Sequence, residues 1–257
     1  MTNLAFKGET PAKKVNRAFV WLQHRRLLKP RTFLNTPHVF LASRCAGDVD
    51  TLLGMKVPPE NVWAVEKDRD EYEHLFERQD RQKFSLYTEK VELVAARFKS
   101  ELRSVYLDYC GNLQGTKGTT ARVVSRLPPR TALSVTVFLG REHNAPVDRE
   151  AALLQEIRAH THHAVTLVQS VLYVSLDSAT YSSPMGTWTF YLGPWPSRSK
   201  MQFDLTSYST GELKRLVSSQ GLVSSLWEEK LAVCQIRSRA ATQANITRRP
   251  IRSRRRH

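Results

Sequence analysis

The chain has 257 residues, 41% of them apolar and 9% aromatic, which is enough to bury a sizeable core and excludes global disorder. It carries 39 Lys+Arg against 24 Asp+Glu, a formal net charge of +15. The longest apolar runs, such as 132–139, are too short to cross a bilayer, and the first residues lack the apolar core of a signal peptide. These features predict an intracellular, cytoplasmic or nuclear protein with no membrane partner. Three widely spaced cysteines, Cys45, Cys110 and Cys234, offer neither a disulfide framework nor a zinc knuckle.

The excess charge is confined to the two ends. Residues 1–37 hold eight bases and one acid, for +7, and residues 237–257 hold eight arginines and no acid, for +8. The stretch between them holds 23 bases and 23 acids. A neutral body with basic ends points to a polyanionic partner, RNA or DNA, bound by counterion release. The expected organisation is a basic N-terminal segment over 1–35, one domain over 36–236, and an arginine-rich disordered tail over 237–257. Arg248, Arg249, Arg252, Arg254, Arg255 and Arg256 are its candidate phosphate contacts.

In chain order, Val15, Phe19 and Leu22 lie at helical spacing over 14–28. This predicts an amphipathic helix that docks on the body, shows Arg17, Arg25 and Arg26 on a basic face and stops at Pro30. Strand patterns follow at 38–42, 61–65, 84–87, 104–108 and 132–139, alternating with helical patterns at 51–55, 68–82, 91–102 and 148–163. Asp68 and Asp148 are read as N-caps, and Tyr72, Leu75 and Phe76 as the inner face of the helix after the second strand. Alternation of this kind predicts a mainly parallel sheet with helices on both faces. Residues 170–176 and 186–192 read as an antiparallel hairpin joined by a loop over 177–185, and 209–220 as a further helix.

A ligand of such a sheet sits outside the carboxyl ends of its central strands. The residues there are Ala42, Ser43, Arg44 and Gly47 after the first strand, Glu66 and Lys67 after the second, Glu89 after the third, and Asp108 and Tyr109 after the fourth. Glu66 stands 19 residues beyond Gly47, the spacing at which an acid meets ribose hydroxyls. Asp48 and Asp50 in the first loop would repel a pyrophosphate and accept a ligand bearing a sulfonium and an ammonium. Residues 111–118 do not have the order of a nucleotide-triphosphate loop. Tyr181 and Trp188, in and beside the hairpin loop, are candidate contacts for a base. The run His160, His162 and His163 lacks a second ligand cluster, so no metal is expected.

On Leu41–Gly47, Glu66, Asp108–Gly111 and the closing hairpin, the sequence resembles the class I S-adenosylmethionine-dependent methyltransferases over roughly 36–192. The resemblance implies a Rossmann-like, mainly parallel seven-stranded α/β sheet in the order 3-2-1-4-5-7-6. It further implies S-adenosylmethionine as cofactor, its methionine part at the first loop, its ribose at Glu66, its adenine near Glu89, and its methyl beside Asp108. Ser43 to Ala46 occupy positions that hold an acid and glycines in that family. Asp108-Tyr-Cys-Gly111 resembles the Asp/Asn/Ser-Pro-Pro-aromatic motif of nucleic-acid amino-methyltransferases without its prolines or final aromatic. The expected function is methyl transfer to nucleic acid, RNA in preference to DNA. The alternative keeps the fold and drops the reaction, leaving a basic nucleic-acid-binding component of a ribonucleoprotein or virion.

Overall fold

The computed structural model describes residues 10–43, 45–140, 148–178, 181–194 and 237–240. Its elements in order are α1 (Pro11–Leu28), α2 (Pro30–Leu34), β1 (His38–Leu41), α3 (Gly47–Gly54), β2 (Val62–Val65), α4 (Arg69–Gln82), β3 (Ser85–Tyr87), α5 (Val91–Arg97), β4 (Ser104–Asn112), α6 (Leu113–Val124), β5 (Thr131–Phe138), α7 (Arg149–Ala159), β6 (Val165–Ser178), β7 (Tyr181–Leu192) and β8 (Arg237–Ala240). A 3-10 turn at Pro59–Asn61 leads into β2.

All the strands form one sheet in the order β3-β2-β1-β4-β5-β7-β6-β8. β1 to β5 are parallel, and β7, β6 and β8 are antiparallel to their neighbours. The order of the first seven strands is the expected one. The eighth is an addition, because Arg237–Ala240 pairs with Gln169–Leu172 of β6, so the first four residues of the segment expected to be disordered are a strand. The rest of that segment, with Arg248 to Arg256, lies outside the described residues, as does the helix expected at 209–220. Among the described residues no helix is long and apolar enough to cross a membrane.

Asp68 and Asp148 cap their helices as expected, accepting from the backbone N–H of Asp70 and Ala151. Phe76, placed on the inner face of α4, is 46% exposed, and Leu75 fills that role alone. α6 lies where the sequence pattern predicts no element, and Asn112 caps it by accepting from Gly115 N–H at 2.9 Å. The loop expected at 177–185 is largely strand, continuing β6 and β7. Gly186 is needed there, because a Cβ would come within 2.5 Å of the Trp188 ring.

One core lies between the sheet and α5, α6 and α7 (Val105, Leu107, Val123, Leu133, Ile157). A second joins the other face to α1, α3 and α4 (Trp21, Phe40, Leu52, Leu75, Tyr106). α1 docks on the body as expected, but the face it buries is polar as well as apolar, with Asn16, Gln23 and His24 among Val20, Trp21 and Leu27. Arg17, assigned to an exposed basic face, is buried. Its Nε donates to Asp48 Oδ2 at 2.7 Å, with the two side chains only 6% and 3% exposed. Trp21 Nε1–H takes Asp48 Oδ1 at 2.8 Å.

Further along α1, a chain of hydrogen bonds has a direction set by its end. The Phe33 carbonyl can only accept, so His38 Nε2–H donates to it at 2.7 Å, and neutral His38 then accepts at Nδ1 from Ser104 O–H at 2.8 Å. Ser104 therefore accepts from His24 Nδ1–H, and His24 Nε2 accepts from Ser134, which in turn accepts from Thr189. Burial keeps both imidazoles neutral, lowering His38 to about 4 and His24 well below its ordinary value. Asn16 Nδ2 adds bonds to Tyr106 Oη and Thr187 Oγ1 at 3.3 and 3.0 Å.

Breaking one partner of a buried ion pair leaves the other uncompensated, at about 3–5 kcal/mol. Arg17→Met is expected to lower unfolding stability by that order. Arg17→Met/Asp48→Asn should cost at least about 1 kcal/mol less than the sum of the single changes. Denaturant unfolding of the four proteins checks this, and simple additivity would contradict the coupling.

Candidate functional site

Parallel pairing of β1 to β4 brings the ends of these strands to one edge of the sheet, with registers His38↔Val62, Trp63↔Ser85 and His38↔Ser104. Ala42, Ser43 and Gly47, then Glu66 and Lys67, then Glu89, then Asp108 therefore fall on the carboxyl-end side of neighbouring parallel strands, the side on which a crevice of such a sheet opens.

The first loop holds a tight turn without glycine at its sharpest point. Ala46 is left-handed at φ 46° and ψ 30°, a conformation costing an alanine about 1 kcal/mol, and its N–H donates to Ser43 O at 2.8 Å. Its methyl is buried in the core under α3. Ala42 is buried with its N–H on Val65 O, Ser43 is exposed, and Arg44 lies outside the described residues. α3 starts at Gly47, four residues earlier than expected.

The two loop acids are not free to receive a cation. Asp48 is engaged by Arg17 and Trp21. Burial alone would push its carboxyl towards the neutral form, and the guanidinium and indole N–H pull the other way. Asp50 is paired with Arg78 Nη2 at 2.6 Å and with Gln82 Nε2 at 3.1 Å. Arg78 Nη1 also donates to Cys45 O at 2.7 Å. Asp48 and Asp50 therefore do not repel a pyrophosphate as the sequence predicts, since each carboxylate has its own arginine.

A further carboxylate at this edge is Asp108. It is partly buried on the α1 face of β4, the face shared by Tyr106, while Val105 and Leu107 face the other core. Among the described residues Asp108 makes no ion pair. Burial raises its carboxyl to about 6, with Asp48 acting in the same direction and Arg17 and Lys13 of α1 against it.

Glu66 follows β2, its N–H on Tyr87 O and its Oε1 accepting from Asp68 N–H at 2.7 Å. Burial raises its carboxyl as well. Lys67 is exposed and lines a shallow groove with Thr88, Glu89, Lys90, Leu93 and Arg122. Both Glu89 oxygens face Arg97, at 2.7 and 2.9 Å.

Two further candidates turn away from this crevice. Tyr109 points to α6, where its Oη accepts from Thr120 Oγ1 at 3.2 Å, and it packs against the opposite core from Asp108. β4 also continues to Asn112 with an irregularity after Asp108, where a turn was expected. Trp188 is 3% exposed in the α7-side core and donates through Nε1 to Glu150 Oε2 at 3.2 Å. It has no face to offer a base. Tyr181 opens β7, paired with Ser178 at the same end of the sheet as the crevice. Arg17, Trp21 and Arg78 were missed as site residues because each acts from a helix distant in sequence. The available signal was Arg17, Trp21 and His24 at helical spacing on a face otherwise apolar.

No family model and no curated protein matches the sequence. Among solved structures, a protein assigned as an RNA methyltransferase from Pyrococcus horikoshii is similar with a TM-score of 0.53 at 11% identity, over 76% of this chain and 91% of that one. Looser similarities are a precorrin-6y C5,15-methyltransferase from Geobacter metallireducens (TM-score 0.42, 11% identity, 74% and 92% covered) and an S-adenosylmethionine-dependent methyltransferase from Clostridium acetobutylicum (0.41, 10%, 68% and 92%). The strand order and the Pyrococcus similarity together show the Rossmann-like fold of class I methyltransferases.

Proposed function

We propose that the chain is an S-adenosylmethionine-dependent methyltransferase acting on nucleic acid, RNA in preference to DNA. The observation that carries the reading is Asp108, a partly buried carboxylate without an ion-pair partner among the described residues, where the regular pairing of β4 with β5 stops, on the strand next to β1. A carboxylate there that no base engages directly among the described residues suits a ligand whose reactive end is cationic better than a phosphate. The residues fit the cofactor in the remaining respects. Glu66 would hold the ribose through the oxygen not committed to Asp68, Gly47 and the first turn of α3 would border the methionine part, and the groove beside Lys67 and Thr88 would receive the adenine.

The cofactor, when bound, supplies a methyl group on a positively charged sulfur. Asp108 would accept a hydrogen bond from the nucleophilic N–H or O–H, orienting its lone pair towards the crevice and taking up positive charge that develops on it. Arg17 keeps Asp48 fixed beneath the same crevice. The RNA part of the reading draws on the Pyrococcus protein's assignment and on the arginines of 237–257. Tyr181, at the crevice end of β7, remains the candidate contact for a base.

The second reading, a basic nucleic-acid-binding protein with weak or no catalysis, is favoured by one observation. The first loop carries Ser43, Cys45 and a left-handed Ala46 where close approach of a ligand to the main chain favours glycine.

Calorimetric titration with S-adenosylmethionine separates the two. Binding in the micromolar range, abolished by Glu66→Ala, is expected for the enzyme, and no heat at millimolar cofactor would overturn it. Because Asp108 is ionised above about 6, affinity should fall as the pH drops below that value in the wild type and lose this dependence in Asp108→Asn. For the polyanion, removal of 241–257 takes away six arginines while keeping β8. The slope of log K against log salt for single-stranded RNA should flatten by up to about 4. An unchanged slope would exclude the tail as the RNA arm.

A further inference from the structure

Arg78 projects from α4, more than thirty residues after the first loop, yet it holds both that loop and the helix α3 that follows it. Nη1–H donates to Cys45 O at 2.7 Å and Nη2–H to Asp50 Oδ1 at 2.6 Å, and Gln82 from the next turn of α4 adds a bond to the same Asp50 oxygen. The first contact has a consequence through peptide planarity. Cys45 C=O and Ala46 N–H belong to one rigid peptide unit. With the carbonyl on Arg78 and the N–H on Ser43 O, that unit is fixed from both sides. Its orientation sets the left-handed Ala46 and hence the point at which α3 begins at Gly47.

A loop built on glycines reaches such a shape at little conformational cost. Here an alanine must hold it, and the pull of Arg78 opposes relaxation of Ala46 to a right-handed conformation. The pair is part of a partly exposed surface, so its contribution to global stability is small, whereas its effect on one peptide is direct.

We propose that Arg78 is a positioning residue of the cofactor crevice, fixing the Cys45–Ala46 peptide so that the first turn of α3 is presented to the ligand. The inference rests on the reading of the crevice as an S-adenosylmethionine site.

The test uses the full chain and S-adenosylmethionine itself. Arg78→Met should weaken binding by about tenfold or more while leaving the thermal midpoint within a few degrees of wild type. Arg78→Lys, which keeps the charge for Asp50, should recover part of the loss. Amide exchange of Ala46 should quicken in Arg78→Met and slow again at saturating ligand, a response that a purely structural role in α4 would not give. Asp50→Asn leaves the bond to Cys45 in place and should cost no more than about threefold. Wild-type affinity in a folded Arg78→Met overturns the inference. So does an equal loss in Met and Lys variants together with a lowered midpoint, because the residue is then a fold determinant only. Failure of the wild type to bind S-adenosylmethionine overturns the underlying reading, and is distinguished by needing no variant.

Discussion

The ion pair between Arg17 and Asp48 joins the first helix of the chain to the first turn of α3 inside the protein, and the rest of the site is arranged around it. Two charges removed from water are tolerated only where their remaining hydrogen-bonding capacity is met. Trp21 meets part of it by occupying the second Asp48 oxygen. Trp21 also makes edge-on contacts with His24, His38, Phe40 and Tyr106, so the pair is tied to the centre of the sheet. α1 is therefore an integral wall of the domain. Its side chains pack into the core on one face of the sheet and pair with α3 there.

Charge in the crevice follows from this arrangement. Of the carboxylates near the ends of β1 and β4, Asp48 and Asp50 each belong to an arginine brought from another helix, Arg17 from α1 and Arg78 from α4. Asp108 is left without an ion pair among the described residues, and burial together with Asp48 raises its carboxyl into the range where it titrates near neutrality. The same two arginines brace α3 and the left-handed turn at Ala46 that precedes it. Mechanical support and charge selection thus come from one pair of contacts.

The sheet was legible because its strands are short apolar runs separated by helical periods, and because parallel strands buried on both faces show little alternation. Asp68 and Asp148 were legible as caps from local chemistry alone. Arg17 was misplaced because periodicity assigns charged residues to water, and only a partner thirty-one residues away makes burial tolerable. α6 was missed since its glycines and threonines have weak helix propensity, overridden here by the Asn112 cap and by burial of Leu113, Val123 and Val124. Trp188 and Tyr109 were misplaced for a geometric reason. Side chains alternate along a strand, and the sequence of one strand does not tell which parity faces the crevice. Thr187 and Thr189 proved to face α1, and Trp188 and Phe190 to face α7.

Amide chemical shifts of the labelled full chain, followed as S-adenosylmethionine is added, decide whether the first loop, Glu66 and Asp108 form the proposed cofactor site. Saturable shifts are predicted at Ala46, Gly47, Lys67 and Tyr109 together, with those of β6 and α7 unmoved. No shift at these amides at millimolar cofactor, or shifts confined to residues away from the carboxyl ends of β1, β2 and β4, would contradict it.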